Sequence, residues 1–139
     1  MSDILKPIRN TELRIGNYII RNKYINHLTV TGILNKEVKT NQGTLHYRMI
    51  EPIKLTKEWI EKFGFYFLGG SDVEKANFYV KHWGINGTSI LRYHPYYKKY
   101  VFELGAHSIK PIDYVHQLQN LFFAVTENEL TTNTDSNEN

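Results

Sequence analysis

The chain has 139 residues, of which 17 are lysine or arginine, 14 are acidic and none is cysteine. That composition excludes a disulfide scaffold, thiol catalysis and cysteine-ligated zinc or iron–sulfur centres, and a chain of this length buries roughly two thirds of its unfolded surface without such staples. No apolar run approaches the length of a membrane span and residues 1–10 hold no long hydrophobic stretch of the export type, so the expectation is a cytoplasmic protein without a membrane partner.

Charge is uneven. From Glu127 the sequence runs ENELTTNTDSNEN with four acids and no base, which leaves 17 bases against 10 acids, a surplus of seven, in the preceding 126 residues. The tail has too little apolar area to offset its ordering entropy, so the expected organisation is one domain over 1–130 and a disordered acidic tail over 131–139.

In chain order, short β-prone runs come first: Tyr18 to Ile20, Leu28 to Thr31 and Leu45 to Ile50, broken by Gly16, Gly32 and Gly43. In the third run Leu45, Tyr47 and Met49 alternate with His46 and Arg48, the period of a half-buried strand. Together these predict a small curled antiparallel sheet compatible with an SH3-like barrel. A short helix is expected next, with Thr56 as N-cap, Glu58 in the first turn, Leu55 and Ile60 as a hydrophobic staple and Gly64 ending it. Trp59, Ile60 and Phe63 would be its buried stripe.

Phe65 to Leu68 reads as a strand, and Gly69-Gly70-Ser71-Asp72 as a turn rather than a phosphate loop, since no Lys-Ser/Thr pair follows. A final helix is expected from about Ile112 to Thr126, burying Tyr114, Leu118, Leu121, Phe122 and Val125, with His116, Gln117, Gln119 and Asn120 mostly on the solvated side. The fold class is therefore α+β, mainly antiparallel sheet with two helices.

Residues 75–102 carry five bases, eight aromatic side chains and no acid. Asn86-Gly87 inside this stretch is a strong signal for a type I′ hairpin turn. A two-residue turn there pairs Lys81 with Arg92, Trp83 with Ile90 and Tyr79 with His94. Two opposed cations repel by up to roughly 1 kcal/mol, which an anion between them would relieve. Tyr79 and Trp83 could then stack on a base. The expected ligand-binding residues are Tyr79, Lys81, Trp83, Arg92 and His94, and the ligand is a phosphate-bearing, nucleotide-like anion. The bland alternative is a solvated face on which the two cations splay apart. A second functional reading makes Tyr96, Tyr97 and Tyr100, with Trp83, an interface for a protein partner. Salt separates the two, because phosphate recognition weakens as ionic strength rises.

Signs of catalysis are sparse. The only aspartates are Asp3, Asp72, Asp113 and Asp135, and the six histidines form no His-x-x-x-His pair, so no metal and no cofactor is expected. His94 has no visible nucleophile or orienting carboxylate beside it. Binding rather than turnover is the expectation.

Three blocks carry a resemblance: Glu12-Leu13-Arg14-Ile15-Gly16-Asn17-Tyr18, the stretch from Pro52 to Phe65 (PIKLTKEWIEKFGF), and the stretch from Tyr114 to Thr126 (YVHQLQNLFFAVT). In that order they resemble a family of small uncharacterised proteins of Bacteroides-like bacteria and their phages and prophages. The resemblance implies a bacterial or phage setting, but supplies no activity and no catalytic residues. It suggests a non-catalytic binder that sequesters a host nucleotide signal or engages a host protein, with homo-oligomerisation left open.

Overall fold

The computed structural model describes residues 8–22, 26–68, 78–94, 98–104 and 107–132, with the backbone alone at 107–109. It is α+β, with two antiparallel sheets of five strands each and two helices. Although the sequence shows no linker, the chain divides into two compact units: Met1–Lys54 with Tyr114–Leu121, and Leu55–Asp113 with Phe122–Asn139. No helix among the described residues is long and apolar enough to cross a membrane.

In the first unit, β1 (Tyr18–Arg21), β2 (His27–Ile33), β3 (Glu37–Thr40) and β4 (Gly43–His46) form a meander, and β5 (Ile50–Glu51) returns to pair with β1. This order, β4-β3-β2-β1-β5, is compatible with the SH3-like arrangement. Ile8, Leu13, Ile19, Leu28, Val30, Val38 and Ile50 make the core, and Leu45 and Tyr47 pack against it. Gly32, read as a breaker, sits within β2 at a register irregularity, where the aliphatic stem of Lys39 crosses it.

The alternation expected through Ile50 stops at His46. Tyr47–Met49 is a single 3₁₀ turn, and the His46 ring, through Nδ1, accepts the Arg48 N–H at 3.1 Å. A side chain bonding the backbone two residues on offers the chain an alternative to the sheet ladder. Met49 is consequently turned out to solvent instead of facing the core.

Helix α2 (Val115–Thr126) starts later than the pattern predicts, because Ile112 closes strand β10 (His107–Ile112). The correction with the largest consequence concerns its polar side chains. His116 and Gln119 are buried, not solvated. Gln119 Oε1 accepts the Tyr18 N–H at 2.8 Å, and Gln119 Nε2 donates to the Gly16 carbonyl at 3.1 Å. Asn120 Nδ2 donates to the Glu12 carbonyl at 2.9 Å, while its Oδ1 accepts from Asn17 Nδ2 at 2.7 Å. Asn17 Oδ1 in turn accepts the Arg14 N–H at 2.7 Å. Backbone groups leading into β1 thus find their partners on helical side chains, as buried polar groups require.

His116 differs from its neighbours. Its ring stacks on Tyr114 at 5.9 Å, and neither ring nitrogen has a hydrogen-bond partner. Burial pushes its pKa down, against a smaller upward pull from Glu12. The folded state therefore holds the proton more weakly than the unfolded chain, whose histidines titrate near about 6.5. The contribution of His116 to stability is complete above that value and is lost as pH falls below it. Urea midpoints measured from pH 7 down to pH 5 should fall more steeply in the wild type than in His116→Leu; equal slopes would refute the assignment.

The second unit contains α1 (Lys57–Lys62), β6 (Tyr66–Phe67), β7 (Phe78–Trp83), β8 (Gly87–His94), β9 (Lys99–Leu104) and β10, in the sheet order β10-β9-β8-β7-β6. Thr56 caps α1 as expected, accepting the Trp59 N–H, and Ile60 and Phe63 are buried with Trp59 half-buried beside them. The Gly69–Asp72 turn lies outside the described residues. Leu130 and Thr132, the latter within the acidic tail, are buried.

Candidate functional site

The β7–β8 hairpin decides whether the basic, aromatic stretch forms a site. The turn is not the two-residue Asn86-Gly87 type. Gly84, with φ of 61°, opens a three-residue loop of Gly84, Ile85 and Asn86, and Trp83 pairs directly with Gly87. Gly87 serves a different purpose. A Cβ placed there would come within 2.5 Å of indole Cε2 and of the Trp83 carbonyl oxygen, so only glycine admits the ring across the strand pair.

Register follows from the turn. Lys81 pairs with Ser89 instead of Arg92, and Arg92 pairs with Phe78. The partner of Lys81 moves by three positions (92 − 89), and an odd shift exchanges sheet faces. Tyr79, Lys81, Trp83, Leu91 and Tyr93 share one face; Phe78, Val80, Arg92 and His94 share the other. The five expected ligand residues are thus split between two faces.

Each cation is also already engaged. Lys81 Nζ donates to the Phe63 carbonyl at 2.8 Å, and desolvation pulls its pKa down. Arg92 Nε donates to Glu103 Oε2 at 2.9 Å, and its guanidinium lies 4.9 Å from the centre of the Phe78 ring. A third base of the stretch, Lys99, stands 3.4 Å from Asp113 Oδ1. The anion clamp expected from sequence is not formed, because the altered register separates the two cations and each is held by another group of the fold, Lys81 by a carbonyl and Arg92 by a carboxylate.

The expected aromatic interface is described only in part. Tyr96 and Tyr97 lie outside the described residues. Tyr100 is half-buried, with its ring 5.0 Å from Tyr93 and 6.4 Å from Tyr79. Burial, followed by the neighbouring phenols Tyr79 and Tyr93 and by Glu58 and Glu61, pushes its pKa up to about 12. Tyr79 is itself buried, and its phenol is raised by desolvation first, then by Glu61 and Glu58. Trp83 is half-buried, and its Nε1–H has no acceptor among the described residues. These rings pack the sheet.

A different surface has the character of a site. In the first unit, Ile33 and Leu34, where β2 runs into the β2–β3 turn, and Met49, in the 3₁₀ turn, are exposed to 36%, 42% and 38%. Tyr47, in the same 3₁₀ turn as Met49, is half-buried against the core, and burial raises its pKa. The patch is rigidly built. Tyr47 donates through its hydroxyl to the Leu34 carbonyl at 2.9 Å and through its N–H to the Lys36 carbonyl at 3.3 Å, tying the β2–β3 turn to the 3₁₀ turn. Leu34 N–H bonds the Glu37 carbonyl at 2.9 Å. From the far side, Asn22 donates through Nδ2 to the Arg48 carbonyl and through its N–H to the Met49 carbonyl, both at 2.9 Å.

Charge favours this unit too. With the chain divided as above, the first unit holds nine bases and four acids, the second eight bases and ten acids. The surplus of positive charge therefore belongs to the first unit rather than to the second. Sequence reasoning missed the patch for one reason: reading Tyr47 to Met49 as strand sent Tyr47 and Met49 inward. The available signal was His46 two residues before Arg48, a local side-chain-to-backbone pattern that breaks a strand. No group of three or more metal-ligating side chains exists among the described residues.

No protein family, no curated protein and no solved structure matches the chain.

Proposed function

We propose that the chain is a non-catalytic protein-binding module that engages its partner through the end of the first sheet. The observation that carries this reading is the exposure of Ile33, Leu34 and Met49 on two turns fixed by five backbone-directed hydrogen bonds, two of which, both from Tyr47, join one turn to the other. Exposed aliphatic side chains grouped on a preorganised surface favour protein contact, since little ordering entropy is lost when a partner docks. The resemblance to phage and prophage proteins supports a host protein as the partner class. A nucleotide-like ligand held between Lys81 and Arg92 has no support from the geometry, for both side chains are engaged on opposite faces.

Selection of a displayed random-peptide library on the full-length protein tests the proposal. Peptides enriched on the wild type should lose at least about tenfold in affinity for Leu34→Ser combined with Met49→Ser. Both side chains are solvent-exposed, so the fold should persist, and circular dichroism verifies it. Failure to enrich any sequence, or enrichment insensitive to the double substitution, refutes this surface as the binding site.

A further inference from the structure

Resting on that reading, we infer that the segment recognised at this surface is an acidic peptide with aliphatic or aromatic anchors. Over residues 27–49 the chain carries three bases, Lys36, Lys39 and Arg48, against one acid, Glu37. All four side chains are exposed. Lys36 and Arg48 flank the patch in chain order: Lys36 follows Leu34 in one turn, and Arg48 stands between Tyr47 and Met49 in the other. Neither has a carboxylate within ion-pair distance among the described residues, in contrast to Lys99 and Arg92 of the second unit. Their main-chain carbonyls, not their charged ends, hold the turns together, which leaves both cationic ends available to a partner.

Exposed aliphatic side chains with cations next to them in the chain are complementary to alternating aliphatic and acidic side chains, and such cations set partner choice and association rate more than raw affinity. Nucleic acid fits less well. Single-strand binders offer exposed rings on which bases stack, whereas the exposed side chains here are aliphatic and the one tyrosine is half-buried with its hydroxyl engaged.

The test uses the tightest peptide recovered on the full-length protein, resynthesised with each Asp and Glu replaced by Asn and Gln. The original should bind about tenfold more tightly than the neutral version, and the difference should shrink as salt is raised. Lys36→Glu with Arg48→Glu should abolish that preference, and the milder Lys36→Gln with Arg48→Gln should reduce it while leaving the neutral peptide unaffected. A recovered peptide without acids, or equal binding of both versions, overturns the acidic specificity and leaves the binding surface standing. Absence of any peptide binding overturns both. Displacement of the peptide by a mixed-sequence single-stranded oligonucleotide, dependent on Lys36 and Arg48, would reassign the surface to nucleic acid.

Discussion

Gln119→Leu should lower the stability of the folded chain by about 2–4 kcal/mol, because each buried backbone group left unpaired costs roughly 1–3 kcal/mol. Leucine fills a similar volume but offers nothing to the Tyr18 N–H or to the Gly16 carbonyl, and no water can replace the amide at a side chain that is 1% exposed. The loss would be read as a lower urea midpoint with unchanged slope. Gln42→Leu is the matching control: Gln42 is exposed in the β3–β4 turn, and its replacement should stay within about 0.5 kcal/mol. Similar effects at the two positions would mean that the network of Gln119, Asn120 and Asn17 contributes little and that α2 is held by apolar packing alone.

Gly87→Val should cost about 1–3 kcal/mol through overpacking of the hairpin. The new side chain would occupy the space of the Trp83 indole, and the ring cannot move aside without breaking its position across the strand pair. Because Gly87 is not in a left-handed conformation, the penalty is steric and not conformational. Trp83→Ala in the same chain should recover the part of the loss owed to the indole, while the approach to the Trp83 carbonyl oxygen persists, giving partial non-additivity in a double-mutant cycle. Additive effects would show that the two residues do not compete for one volume.

The hairpin shows how local signals can mislead while the element they announce is present. Asn86-Gly87 did mark a turn flanked by two β-prone runs, and β7 and β8 formed there. Which residues close the loop depended on something no local rule contains: the need of Trp83 for a partner without a side chain, met by Gly87, and the availability of Gly84 for the positive φ. A change of three positions then sent Lys81 and Arg92 to opposite faces, and with them the functional inference built on their proximity. The helix gives the converse lesson. Its apolar spacing was legible, but the fate of His116 and Gln119 was not, since a glutamine on a polar stripe looks the same whether water or a buried strand satisfies it.

Composition and periodicity by themselves determined the α+β class, the antiparallel strands, the Thr56-capped helix and the absence of cysteine chemistry, because these follow from interactions within a few residues of one another. Tertiary structure decided the strand register, the burial of the polar edge of α2, the 3₁₀ turn that exposes Met49 and the concentration of unpaired cations beside it. Each of those depends on which distant group arrives to fill a volume or complete a hydrogen bond. That information resides in the packed chain and not in any short stretch of it.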